Sequence, residues 1–468
     1  MLFAEIVVDT YQDPTKKLFT YEVPEALAKK IRPGDLVEVP FGKRVVNGFV
    51  YQITTKPPKI KTKPIKNIKR RGVFTPNQIK IAHWLSSHYA APPLDCLKCQ
   101  IPGKGERYTE GKESEITTLL LVPYTAHVKL KALTLSRAER KTTLVGSRSA
   151  VFTPLPNLRK IIIEEPENWT YKDGRSPYYH AKQVAQKRSE LEGLKLELHY
   201  LIPRVEDFPS VNLSGLRFPT RKVEIVDLRK EREAGNFSPL SLAVVNAFAQ
   251  GKQALAYVVS RGVKEEVAQA IKAKGLDINQ VEIAGAEILT SVGKIFDTIA
   301  VVDTDTLFNL PDFRVHEKLL LTVAKLSKLT EGTVWIQTAN PNYPLFKELD
   351  AENLKNFYHR ELEARKPFLY PPFGVLAKLE FSAKTTIKVN LEAERLYNEL
   401  LALPRRQAGI SHKPLAIEIS PPYPPYTKPR GKAQLNITVK AKTRRELQKI
   451  LAFVPPIWRV IVDPESLL

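Results

Sequence analysis

No stretch of this 468-residue chain fits G-x-x-x-x-G-K-[ST], so the loop that ordinarily cradles nucleotide phosphates is missing from its sequence. Cysteine is nearly absent too: Cys96 and Cys99 form one C-x-x-C, and no second pair stands at a spacing that completes a tetrahedral zinc site. His83 and His88 lie upstream at unsuitable spacing, so the pair is expected to pack on a short helix after Pro92-Pro93, and no metal is assigned. No run of about 18 apolar residues occurs, which excludes a bilayer-spanning helix. The opening Met1-Leu2-Phe3-Ala4-Glu5-Ile6 alternates like a strand and carries no charged leader, so a cytoplasmic location is expected. Acidic residues are the last shortage. Asp plus Glu number 50 against 72 Lys plus Arg, and the resulting charge of +22 points to a polyanionic partner, nucleic acid before an anionic or ribosomal surface.

What is present divides into four blocks. Residues 1–104 hold short alternating segments, such as Leu36-Val37-Glu38-Val39 and Gly48-Phe49-Val50-Tyr51, separated by Pro and Gly turns and closed by a helix near Gln78 to Tyr89. A polar connector from Gly103 to Ser114 follows. Strands then alternate with helices over 115–221, and again over 222–345, the pattern of two α/β layers with mainly parallel sheets. The last block, 346–468, reads β-α-β-β-α-β, with strands at Val375 to Phe381, Ala416 to Ser420, Gln434 to Val439 and Trp458 to Val462. Pro421-Pro422-Tyr423-Pro424-Pro425-Tyr426 falls between its middle strands, as a stiff hairpin tip or a PxxP ligand.

Two places carry chemistry. Thr118-Leu119-Leu120-Leu121-Val122-Pro123 and Ile161-Ile162-Ile163 read as strands, and the second delivers Glu164 and Glu165 to a strand end, where nucleotide-hydrolysing sheets place their metal-binding carboxylate. Further upstream, Pro40-Phe41-Gly42-Lys43-Arg44 sets a turn glycine between an aromatic face and two cations, so that backbone N–H groups come close to a ligand while Lys43 and Arg44 meet its phosphates. Leu18-Phe19-Thr20-Tyr21 adds stacking surface, and stacking on an aromatic ring tolerates any base at roughly 1–3 kcal/mol each. From Lys56 to Arg71 eight basic residues (Lys56, Lys59, Lys61, Lys63, Lys66, Lys69, Arg70 and Arg71) run without an acid, as a nucleic-acid strip or a solvated lysine loop.

The order Phe-x-Tyr, Val-Pro and Pro33-Gly34-Asp35-Leu36-Val37-Glu38-Val39-Pro40-Phe41-Gly42-Lys43 resembles the opening of the bacterial primosomal protein N′ (PriA) family of replication-restart helicases. The likeness continues at Gly146-Ser147-Arg148-Ser149-Ala150-Val151-Phe152, Tyr171-Lys172, Tyr179-His180-Ala181, Leu310-Pro311-Asp312-Phe313-Arg314, Tyr370-Pro371-Pro372-Phe373-Gly374 and Val462-Asp463-Pro464. It implies a multi-domain α/β architecture: a β-rich N-terminal 3′-end DNA-binding domain, two degenerate RecA-like helicase lobes and a C-terminal split-βαβ (α+β) domain. It further implies that a terminal nucleotide lies among Phe19, Thr20, the Phe41-Gly42-Lys43 turn and Lys66; Tyr21, Arg44, Lys69, Arg70 and Arg71 are expected as further DNA contacts from the residue types read above. The implied partners are DNA forks, 3′ ends and single strands, together with restart or helicase-loading proteins.

The chain departs from that pattern at several points. Thr20 stands where the family has Asp, and Glu164-Glu165-Pro166-Glu167 stands where it has Asp-Glu-x-His. Lys325-Leu326-Ser327-Lys328-Leu329 lacks the arginine finger, and helix Lys264 to Lys274 follows Ala254 to Gly262 with no cysteine module between. Losing a finger alone costs about 10³ to 10⁵ in turnover. The expectation is a DNA binder of replication-restart type with no cofactor and no ATPase or unwinding activity. The alternatives are a residual ATP-dependent 3′-5′ helicase and an RNA or ribosome binder.

Overall fold

The computed structural model describes residues 1–9, 18–58, 60–101, 107–211, 222–291, 293–349, 353–407, 417–427 and 429–468, without the side chains of 404–407. Lys59 of the basic run, residues 103–106 of the connector, Ala416 and the stretch 212–221 therefore lie outside the described residues.

Five strands, β1 (Leu2–Val8), β2 (Phe19–Val23), β3 (Leu36–Phe41), β4 (Arg44–Thr54) and β5 (Asn67–Arg70), form the first sheet in the order β2-β1-β4-β3-β5. Alternation drives it: Ala4, Ile6, Val8, Tyr21, Val23, Val37, Val39 and Val50 pack on one face as a common core. The segment before β5 closes the curl, because Ile65 donates its N–H to Glu22 O and Glu22 its own to Lys63 O (both 3.0 Å). A small barrel results. Helix α1 (Glu25–Ala28) links β2 to β3; α2 (Pro76–Tyr89), capped reciprocally by Thr75 and Gln78, and α3 (Pro93–Lys98) follow the barrel. Cys96 and Cys99 lie at α3, Cys96 inside the core, and burial pushes both thiols up; the pair packs as the sequence suggests.

The second sheet runs β10-β9-β7-β8-β6, built from β6 (Arg107–Tyr108), β7 (Thr118–Leu121), β8 (Thr143–Gly146), β9 (Lys160–Glu164) and β10 (Lys195–His199). All are parallel except β6, which pairs antiparallel with β8. Helices α4 (His127–Thr134), α5 (Arg137–Thr142) and α6 (Ala181–Glu192) accompany it. The described part of the expected polar connector is thus sheet edge, held by Arg140 Nε on Glu110 (2.7 Å) and by Gly111, where a Cβ would stand 1.8 Å from Lys141 O.

The third sheet, β11-β15-β14-β12-β13, is wholly parallel: β11 (Val223–Asp227), β12 (Ala254–Tyr257), β13 (Val281–Ala284), β14 (Thr298–Val301) and β15 (Val334–Thr338). Separate apolar clusters cover its two faces, with α7 (Leu228–Glu233), α8 (Leu242–Gln250), α9 (Val263–Ala273), α10 (Thr304–Phe308), α11 (Val315–Ser327) and α12 (Leu354–Arg365) around it. The final sheet, β17-β18-β16-β19, is antiparallel, from β16 (Val375–Ala383), β17 (Ile417–Ile419), β18 (Ala433–Ala441) and β19 (Arg459–Val462), with α13 (Thr386–Gln407) and α14 (Arg444–Leu451) between strands. That is the expected split βαβ. Its Pro-rich segment continues the hairpin, because Tyr423 exchanges backbone bonds with Asn436 and meets Thr438 Oγ1 at 2.8 Å through its hydroxyl.

The chain forms two compact units, residues 1–199 with 374–465, and 200–373 with 466–468. The expected boundaries at 221/222 and 345/346 both fall inside the second of these units. Ile202 and Val205 bury their side chains in the third sheet's cluster, and so do Phe357 and Tyr358 of α12, while the final sheet shares one core with α2 and the second sheet. Among the described residues no helix is long and apolar enough to cross a membrane.

Candidate nucleic-acid interface

At the mouth of the N-terminal barrel, β3 and β4 are joined by the two residues Gly42-Lys43, with Phe41 directly opposite Arg44. Gly42 takes φ +60°, the left-handed value that a II′ hairpin asks of its first central residue, and nothing lies within 4 Å of where a Cβ would be. The turn is therefore tight and open above. Phe41 meets Phe19 edge to face at 5.1 Å between ring centroids, and both rings are only half-buried against the barrel core. Lys43 and Arg44 are exposed beside them. A fifth participant comes from the segment that closes the barrel: Lys63 Nζ donates to Gly42 O at 3.3 Å. In sequence Lys63 is one of the eight cations of the basic run, with nothing local to set it apart.

Tyr21 and Thr20 are placed differently from the two half-buried rings. Tyr21 is 5% exposed, its hydroxyl donates to Pro40 O at 3.1 Å and burial raises its pKa, so it braces the turn from inside and offers no stacking face. Thr20 pairs with Glu5 across β1 and, by strand alternation, points to the face opposite Phe19 and Tyr21. Lys66 is exposed, with its N–H on Glu38 O at 2.9 Å. The Pro33-Gly34-Asp35 motif proves architectural. Gly34 sits at φ +98° where a Cβ would be 2.2 Å from Phe74 O, and the Asp35 carboxylate accepts from Arg32 N (2.9 Å) and Gly72 N (2.8 Å).

Along the barrel's outer face Lys69 reaches Glu38 at 3.5 Å and Asn47 Oδ1 at 3.4 Å, while Arg70 and Arg71 stand exposed. Replacing Lys69, Arg70 and Arg71 together by Ala is expected to weaken all DNA alike and to flatten the logarithmic salt dependence by about 2, since phosphate contacts release counterions without reading sequence. Titrations between low and moderate salt check this, and an unchanged slope would assign the strip to solvent.

At the strand end of the second sheet, Glu164 is met by Lys131 Nζ of α4 at 2.5 Å, and Tyr171 donates its hydroxyl to Glu164 O at 2.8 Å. A lysine ammonium thus holds the carboxylate where a metal ion would be expected. The neighbouring motifs converge elsewhere. Asp463, held in the left-handed region at φ +50°, accepts from Arg444 Nη2 (2.7 Å) and Gln183 Nε2 (3.5 Å) and faces His88 Nε2 at 3.8 Å; Lys172 Nζ donates to Val462 O at 2.6 Å. Tyr89 receives the His180 N–H at 3.0 Å and lies under Lys172. This joint ties α2, the second sheet and the final sheet together. Burial disfavours the Asp463 carboxylate, but His88, Arg444 and Lys172 outweigh burial and hold its pKa well below the usual range.

Residues 5–102, the barrel with α2 and α3, match the family model described as the 3′ DNA-binding domain (3′BD), which defines the class of this module. The chain is similar to the replication restart protein PriA of Bacillus subtilis, 22% identical over 66% of this chain and 51% of that protein, and of Synechocystis, 24% identical over 50% and 42%. It thus spans about half the length of these two relatives. Against PriA of Rickettsia felis the match reaches 97% of this chain and 98% of the relative at 20% identity. The domain match and these relatives together support a member of the PriA family. The solved structure of the yeast splicing factor Prp28 overlaps at a TM-score of 0.19 and 9% identity over 54% of the chain, too slight to bear on the fold.

Proposed function

We propose that this chain is a DNA-binding protein of replication-restart type that engages forks or 3′ ends of nascent strands and neither hydrolyses ATP nor unwinds DNA. The observation that carries the reading is the barrel mouth, where two half-exposed phenyl rings, an open glycine turn and the cations Lys43, Arg44 and Lys63 converge inside the module matching a 3′ DNA-binding domain. Rings supply base-indifferent stacking, and the cations supply phosphate contacts. The silent motor is supported by the missing phosphate loop, by Lys131 on Glu164 and by the arginine-free stretch Lys325 to Leu329. The two parallel sheets then serve as degenerate helicase lobes, scaffolds rather than engines. The working location is the cytoplasm, where restart or helicase-loading proteins are the further partners.

Phe41→Ala and Lys43→Ala are expected to weaken binding to a fork with a leading-strand end at the branch by about tenfold each, the loss of one stacking or charge-assisted contact, and to affect a fork lacking that end much less. Equilibrium titrations on both forks check this. Equal losses on both would move the end-binding site away from the barrel mouth.

A further inference from the structure

In the unit of residues 200–373 a trio of titratable side chains takes no part in the barrel site. The loop after β15 folds back on itself, Tyr343 N–H donating to Asn340 O and Phe346 N–H to Tyr343 O (both 3.0 Å), and it buries Phe346 in the cluster that also takes Leu319 of α11 and Phe357 of α12. Three elements thus share one apolar floor. On it the Tyr343 hydroxyl stands 2.6 Å from His316 Nε2, and His316 Nδ1 stands 2.6 Å from Glu361 Oε1. An ionised carboxylate can only accept, so Glu361 keeps the imidazole proton on Nδ1 and leaves Nε2 to accept from the phenol. Glu361 is 4% exposed and lies 3.6 Å from Arg360 Nη1 and from Arg365 Nη2, whereas His316 keeps 26% of its side chain in water and Tyr343 is half-buried. The carboxylate is inside and the other two reach solvent. Burial raises the Tyr343 phenol above its ordinary pKa, so near neutral pH it attacks only where a base takes its proton, and His316 Nε2 is at hydrogen-bond distance to do so.

We infer that Tyr343, His316 and Glu361 act as nucleophile, base and orienting carboxylate on a phosphodiester of a DNA strand, joining the strand to the protein through a tyrosyl phosphate ester. Charge selects the substrate class. The chain carries +22, and Arg360, whose charge bears on the Tyr343 hydroxyl, spends Nε and one Nη2 donor on Glu348 and keeps the rest of its five N–H donors beside the trio. In the step, Tyr343 Oη bonds to phosphorus as its proton passes to His316 Nε2, and the bond from phosphorus to one bridging ester oxygen breaks. The protonated Nε2 then gives that proton to the leaving oxygen, so the strand gains a free hydroxyl where it was cut and nothing is oxidised or reduced. Arg360 faces the charge that gathers on the non-bridging oxygens. Run backwards, the same exchange reseals the strand.

The test incubates the full chain with a short DNA single strand bearing a different fluorophore at each end and separates the products under denaturing conditions. The expected product is a covalent protein–DNA band that keeps one fluorophore and has lost the other. Tyr343→Phe keeps the ring packed on Phe308 at 4.8 Å and removes only the hydroxyl, so it should abolish the band without unfolding the chain. His316→Gln should slow band formation by about 10²–10⁴, the range of general acid–base catalysis. Glu361 is a positioning residue, and a glutamine there can donate to Nδ1 and turn the imidazole to the wrong tautomer. Glu361→Gln should therefore lower the rate at saturating strand while the half-saturating strand concentration stays where it was, and Glu361→Asp should recover part of the rate. No covalent band from the unaltered protein would overturn the assignment, and so would a band that survives Tyr343→Phe. An undiminished rate in His316→Gln would remove the base, and a Glu361→Gln loss confined to strand affinity would leave Glu361 a structural role only.

Discussion

Arg365→Ala is expected to destabilise the unit of residues 200–373 by about 3–5 kcal/mol, because it strips the cation from a buried ion cluster. Arg365, 2% exposed at the end of α12, contacts Glu317 at 3.1 Å, Glu361 at 3.6 Å and Glu206 at 3.8 Å. Arg314 supports two of these carboxylates, meeting Glu317 at 3.0 Å and pairing with Glu206. Burial alone would raise the Glu206 pKa, yet Arg314 and Arg365 hold it down; removing Arg365 leaves Glu206 and Glu317 to Arg314 alone, while Glu361 keeps Arg360 and His316. Chemical unfolding followed by tryptophan fluorescence checks this through Trp335, on β15 of the same unit. A loss under about 1 kcal/mol would mean that the cluster is solvated and the packing of Phe357 and Tyr358 alone holds α12.

The second large effect belongs to Asp463. Asp463→Ala is expected to cost the other unit about 2–3 kcal/mol, below the figure for a fully buried pair because the side chain keeps roughly a quarter of its surface in water. Its sign with pH follows from the direction of the shift. The folded-state pKa lies below the unfolded value near 3.8, so the stabilisation is complete above that value and is lost as pH falls from there through the folded-state pKa. His88 adds an earlier step: burial lowers its pKa against the opposing pull of Asp463, so the unfolded chain takes up a proton first once pH drops below about 6.5. Stability should decline in two stages on acidification. Asp463→Asn should flatten the lower stage, and an unaltered acid limb would place the titrating group elsewhere.

The β-α-β-β-α-β order of the last block was legible because each of its elements is written in local periodicity, whereas the pairing of Tyr423 in the Pro-rich segment with Asn436 was not. Which sheets share a core was not, since that depends on contacts such as Arg444 with the His88 carbonyl, far apart in sequence. The barrel mouth was half readable. Phe41-Gly42-Lys43 announces its turn, and strand alternation was available to place Tyr21 inside and Thr20 opposite Phe19, although the reading grouped all three by proximity. Lys63 could not be singled out among its basic neighbours, because its reach to Gly42 exists only once the segment before β5 closes the barrel. The motif Val462-Asp463-Pro464 was visible as a likeness, but its role as the meeting point of His88, Lys172, Gln183 and Arg444 emerges only in three dimensions.

End recognition is expected to persist here without a working motor, and steady-state ATP hydrolysis by the full chain at saturating fork DNA tests this most directly. The predicted result is a rate indistinguishable from that of fork and buffer without protein, while the same preparation binds the fork. Fork-stimulated turnover that disappears in Glu164→Gln would contradict it.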